Sequence, residues 1–176
     1  GFIEETGAAQ HFRDARITPI YEGTNGIQSI DLVTRKLAAD GGESVWALPD
    51  ELKGIVSPVE ASNDPAFGTT GAKLRDALGS LERTSRWLLE RVTSAPKDAL
   101  AGATPYLRLF GSTLGGCMLG GEALAAKSNG ESGDPQRYVA LARFFAENIA
   151  VQAPALERTV MDSAEAVNGA DAVLLG

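Results

Sequence analysis

Thr69-Thr70-Gly71-Ala72-Lys73-Leu74-Arg75-Asp76-Ala77-Leu78-Gly79-Ser80-Leu81-Glu82-Arg83-Thr84-Ser85-Arg86-Trp87-Leu88-Leu89-Glu90-Arg91-Val92-Thr93 is the stretch on which the fold turns. Leu74, Leu78, Leu81, Leu88 and Leu89 recur three, four and seven residues apart, the period of one helix face. The spacing predicts a helix over 69–93. Two further helical patterns follow it. The second, over 97–128, is rich in Gly and Ala, and Pro105 is expected to kink or divide it. The third, over 135–160, opens with Asp134 before Pro135, an N-cap followed by a proline at the first helical position. Pro154 is expected to bend it. Residues 128–133 form the loop between them.

Working outward to the N-terminus, residues 11–17 read as a short helix with Phe12 and Ile17 toward a core, ended by Pro19. A loop over 21–26 leads to a second helix. Thr24 is its expected N-cap, and Ile27, Ile30, Leu32, Val33 and Leu37 supply its apolar side. Lys36 suits its C-terminal end, and Gly41-Gly42 stops it. Residues 41–64 read as a linker with scattered hydrophobes that lie along the bundle, leaving room for a short helix around 49–56. No segment alternates as a strand does, and no repeat is present. The class is all-α, a helical bundle in three parts: residues 1–40, the linker 41–64, and a helical domain over 65–176.

Composition narrows the function. The 176 residues carry 16 Lys plus Arg against 23 Asp plus Glu, a formal charge of −7. That balance argues against a nucleic-acid partner. A 44% hydrophobic share supports a packed core. No apolar run is long enough for a membrane span. One cysteine, Cys117, and one histidine, His11, cannot build a usual zinc site, so no metal is expected. Cys117, among glycines, reads as a buried inert thiol, and His11 as a surface residue. Gly111, Gly115, Gly116 and Gly120 read as flat patches for close helix packing. Trp46 and Trp87 read as packing anchors. Glu82-Arg83 and Glu90-Arg91 read as solvated pairs, and Arg13 with Asp14 as a local ion pair.

Chemistry concentrates in Ile20-Tyr21-Glu22-Gly23-Thr24-Asn25-Gly26-Ile27-Gln28. Glu22 stands between a proline-ended helix and the start of another, where a carboxylate can project into a cleft. Gly23 lets a ligand approach the backbone. Free amides at the new helix start can hold a polar or anionic group. A carboxylate beside such amides suits removal of a proton next to a carbonyl. A solvated Glu-Gly-Thr loop is the plain alternative on these residues alone.

The longer string, Gly1-Phe2, Arg13-Asp14-Ala15-Arg16-Ile17, Tyr21-Glu22-Gly23-Thr24 and Ile27-Gln28, resembles the end of the catalytic module of acyl-CoA dehydrogenases. With Asp31-Leu32 and Arg35-Lys36 it is most similar to the large bacterial branch of the methylthiopropanoyl-CoA dehydrogenase type, whose members carry an additional helical C-terminal domain. The resemblance implies Glu22 as the catalytic base, with Tyr21 and Gly23 at the acyl-CoA substrate and Thr24, Asn25 and Gly26 at FAD. It implies a homo-oligomer, a cytoplasmic location and an electron-transfer flavoprotein as partner. Where relatives carry an arginine that meets CoA, this chain has Thr34, with Arg35 beside it. The resemblance also implies a piece of a longer enzyme that neither retains FAD nor turns over by itself. The alternative is a non-catalytic helical interaction or oligomerisation module.

Overall fold

The computed structural model describes residues 4–18, 25–129 and 134–174. Nine α-helices run through them: α1 (Ala8–Ile17), α2 (Asn25–Asp31), α3 (Glu43–Ala61), α4 (Thr70–Ser94), α5 (Pro96–Ala101), α6 (Ala103–Asn129), α7 (Pro135–Asn148), α8 (Ala153–Asp162) and α9 (Ala164–Leu174). No strand occurs among the described residues. α4 and α6 form the centre. α3, α7 and α8 pack on both of them, α2 lies on α6, and α9 lies on α5.

The leucine period of α4 does what its spacing predicts: Leu74, Leu78, Leu81 and Leu88 are all buried. α6 meets that stripe with glycines. A Cβ on Gly116 would lie 2.7 Å from Leu74 Cδ2, one on Gly120 would lie 2.9 Å from Leu74 Cδ1, and one on Gly121 would lie 2.7 Å from Ile55 Cγ2. Leu74 is therefore a knob seated on two glycines one turn apart. Gly71 plays the same part at the α3–α4 contact, where a Cβ would stand 2.7 Å from the Glu60 Cα.

Pro105 and Pro154 act near helix starts. The pattern over 97–128 divides at Gly102, three residues before Pro105. Pro105 has no N–H for the Ala101 carbonyl, so the ladder restarts with Tyr106 N–H donating to Gly102 O at 3.0 Å. The pattern over 135–160 likewise splits instead of bending. Pro154 lies in the first turn of α8, and the 3₁₀ turn Ala150–Gln152 joins α7 to it. α7 begins as its sequence indicates, with the Asp134 carboxylate accepting from Gln136 N–H at 3.0 Å. α9 has no counterpart in the sequence reading.

The expected linker is the largest revision. α3 spans 19 residues despite Pro49 and Pro58 inside it. Its start is organised by Asp40, which accepts from Gly42 N–H (3.1 Å), Ser44 N–H (2.9 Å) and Ser44 Oγ (2.5 Å). Gly42 turns the chain there at φ 89. Each internal proline removes one backbone bond, a cost that burial of Leu52, Val56 and Val59 against the bundle offsets.

Polar contacts tie distant helices. Arg83 does not form a local pair with Glu82; it holds Glu157 of α8 in a two-pronged bond, at 2.6 and 2.7 Å. That hydrogen bond holds the Glu157 carboxyl below the usual carboxylate range. Glu82 faces Lys53 and Arg86 instead. Arg91 reaches Asp98 at 3.9 Å and lies over Trp87. Gln10 links Arg13 to Asp14, bonding one at 2.9 Å and the other at 2.6 Å. Trp46 is 39% exposed beneath the Arg86 guanidinium, a partial anchor only.

Cys117 is fully buried, and burial pushes its thiol up to about 11. An acid group raised in this way stabilises the fold below the ordinary thiol range, about 8.5, and that contribution is lost as pH rises toward 11. Iodoacetamide at pH 8 should leave Cys117 unlabelled in the folded chain and label it in denaturant. Equal labelling rates in both states would contradict this placement.

Candidate functional site

The candidate site belongs to the segment joining α1 to α2. α1 ends at Ile17, where Thr18 closes the last turn by donating from Oγ1 to Ala15 O at 2.7 Å. Tyr21, Glu22, Gly23 and Thr24 lie outside the described residues, so the expected base, both expected substrate residues and the expected N-cap are named here without geometry. Asn25 and Gly26 form the first turn of α2. Both are exposed, and a Cβ on Gly26 would meet nothing within 4 Å. No side chain among the described residues crowds Gly26.

α2 and the turn after it are fixed by their inner side. Ser29, Val33 and Leu37, four residues apart, are buried, the last two in the main core. Ser29 gives its only hydroxyl proton to Gly26 O at 2.7 Å. The hydroxyl of Thr104 on α6, 3.3 Å away, therefore donates to Ser29. The start of α2 is thus pinned to the start of α6, and the exposed turn at Asn25 and Gly26 rests on the bundle centre.

The outer side is the unexpected part. Ile27 and Ile30 are 59% and 41% exposed, and Phe12 and Ile17 on α1 are 65% and 54% exposed. Phe12 and Ile17 were expected to face a core. Only Ala9 of α1 is buried.

Electrostatics gather one turn further on. The Asp31 carboxylate takes Arg35 in a two-pronged bond, at 2.6 and 2.9 Å, and lies 3.5 Å from Lys36 Nζ. The Arg35 guanidinium beside it holds the Asp31 carboxyl below the usual carboxylate range. Arg35 is therefore oriented by Asp31. The sequence reading missed that clamp, although the i, i+4 spacing of Asp31 and Arg35 carries the signal. Thr34 turns its hydroxyl back to Ile30 O at 2.8 Å. No cluster of metal-ligating side chains occurs among the described residues.

Comparison with known proteins places this architecture. A family model described as acetyl-CoA dehydrogenase C-terminal like matches residues 50–171, from within α3 to within α9. The 3-methylmercaptopropionyl-CoA dehydrogenase of Ruegeria pomeroyi is 34% identical over 171 residues, covering 95% of this chain and 29% of that protein. The broad-specificity linear acyl-CoA dehydrogenase FadE5 of Mycobacterium tuberculosis is 28% identical over 161 residues, 84% of this chain and 26% of its own length. A butyryl-CoA dehydrogenase of Syntrophomonas wolfei is 31% identical over 159 residues, 85% of this chain and 25% of its own length. The chain spans less than a third of the length of these relatives. With its all-α fold and a family match over most of its length, the chain belongs to the acyl-CoA dehydrogenase family, in its C-terminal domain.

Proposed function

We propose that the chain supplies the C-terminal part of a flavin-dependent acyl-CoA dehydrogenase that oxidises an acyl-CoA thioester to the 2,3-enoyl-CoA. The observation that carries this is the similarity to the Ruegeria pomeroyi dehydrogenase over 95% of the chain. In this reading residues 1–40 belong to the catalytic bundle, residues 41–64 connect it, and residues 65–176 are an added helical domain that carries no catalytic group. The uncovered Phe12, Ile17, Ile27 and Ile30 support a larger enzyme packing on this end.

Glu22 takes the α-proton of the thioester onto its carboxylate. The Glu22 N–H, in the loop with Gly23, polarises the thioester carbonyl, so that charge developing on its oxygen meets a fixed dipole. Tyr21 lines the acyl group. Bound FAD supplies the two-electron acceptor for the hydrogen leaving the β-carbon. Thr24, Asn25 and Gly26 would contact it, and the open backbone at Gly26 fits that role. The reading includes a homo-oligomer, a cytoplasmic location and an electron-transfer flavoprotein as the next electron carrier.

The test is the intact gene product, purified with its flavin. Anaerobic addition of a short- or medium-chain acyl-CoA should bleach the oxidised flavin absorbance and yield enoyl-CoA. A product that binds no flavin, or whose flavin is untouched by acyl-CoA, would overturn the proposal in favour of a non-catalytic helical module.

A further inference from the structure

A cavity of about 360 Å³ opens between the end of the α2 segment, α3, α4 and α6. Its walls are aliphatic and aromatic: Leu32, Leu37, Val45, Leu48, Leu81 and Phe110. The volume is at the small end of ligand pockets, about 300–1,000 Å³. None of its residues belongs to the stretch over 21–26.

The wall on the α2 side has an uncommon construction. After Asp31 the helix widens into a π-helical turn, Leu32–Lys36. Leu37 N–H donates to Leu32 O at 2.8 Å, five residues back. Such turns are rare and recur at functional sites. In an α-helix Leu37 would point well away from Leu32. The wide turn brings both leucines, with Lys36 between them in register, onto the cavity side.

Its polar groups divide into two sets. The inner set is closed. Ser85 donates its one proton to Leu81 O at 2.7 Å, so Tyr106 donates to Ser85 at 2.7 Å, and Tyr106 is fully buried. These hydroxyls have no donor left to offer, and an apolar tail can lie against them without stranding one. The outer set faces solvent. Lys36 is the one charged side chain on the wall among the described residues, and it is 53% exposed. Its ammonium lies 3.5 Å from Asp31, whose oxygens already take the shorter bonds from Arg35. Ser44, also on the wall, gives its hydroxyl proton to Asp40. An anion at the mouth would therefore be met by the Lys36 ammonium.

We propose that this cavity binds a small anionic amphiphile, a linear medium-chain carboxylate, with its alkyl tail between α3 and α4 and its carboxylate on Lys36. The site goes beyond the dehydrogenase reading and does not depend on it. Octanoate is the probe, with octan-1-ol as the tail without the charge, titrated into the intact protein and followed by calorimetry. Octanoate should bind saturably at one site, and octanol about tenfold more weakly, the difference a charge-assisted bond supplies. Lys36→Met should weaken octanoate about tenfold and leave octanol unchanged. Val45→Trp should block both probes. If Val45→Trp fails to fold, the exposed Lys36→Met variant still decides the matter. No saturable octanoate binding at millimolar concentration, or equal octanoate affinity in the wild type and Lys36→Met, would overturn the proposal.

Discussion

Glu22→Gln in the intact enzyme should leave the flavin bound and slow its reduction by acyl-CoA about 10²–10⁴-fold. Glutamine keeps the shape of the side chain and its hydrogen-bonding reach. What it loses is a lone pair basic enough to accept a proton from carbon near neutral pH. The residues assigned to the flavin, Thr24, Asn25 and Gly26, are unchanged, so the absorbance of bound flavin should persist while the reductive half-reaction collapses. Rapid mixing with substrate under anaerobic conditions reads that step alone, free of product release and reoxidation. Near-normal reduction by the variant would remove Glu22 from the role of base. It would leave the dehydrogenase reading standing, with the base elsewhere in the longer protein.

Leu74→Ala should cost about 2–5 kcal/mol of stability, seen as a lower urea midpoint with an unchanged slope. Leu74 is fully buried, and its two methyl groups cover the places where Gly116 and Gly120 lack a side chain. Those glycines cost about 1 kcal/mol each against alanine in a helix interior. The seating of Leu74 offsets that cost. The arrangement gives a sign test. In the wild type, Gly116→Ala puts a methyl 2.7 Å from Leu74 Cδ2 and should destabilise, because a buried leucine must rotate to make room. In the Leu74→Ala background the same change fills vacated space and adds helix propensity, and should stabilise. Additive effects of the two substitutions would contradict direct contact.

The residues that decide class were legible without coordinates. Helix is a local property, and the leucine period of α4 and the Asp134–Pro135 start of α7 state it within a few neighbouring positions. The spacing of Gly116 and Gly120 announced close packing for the same reason, a residue without a side chain leaving a flat surface, whereas Gly111, one of the glycines expected to pack closely, has nothing within 4 Å of where its Cβ would lie. The signature Tyr21-Glu22-Gly23-Thr24 named a family through the order of its residues.

What the sequence could not decide was partnership across long separations. Nothing near Arg83 points to Glu157, 74 residues away, and its own neighbour Glu82 was the obvious choice. The prolines of α3 argued for a linker, because local propensity counts their lost backbone bonds and cannot count the burial of Leu52, Val56 and Val59 that offsets them. Phe12 and Ile17 look like core residues by hydrophobicity, yet both are exposed among the described residues. The cavity beside Lys36 exists only because a π-helical turn, α3, α4 and α6 converge there. The sequence by itself determined the all-α class, the starts of α4 and α7, and the family. The tertiary structure decided which faces meet, because burial and charge pairing are set by neighbours in space, and those neighbours are far apart in the chain.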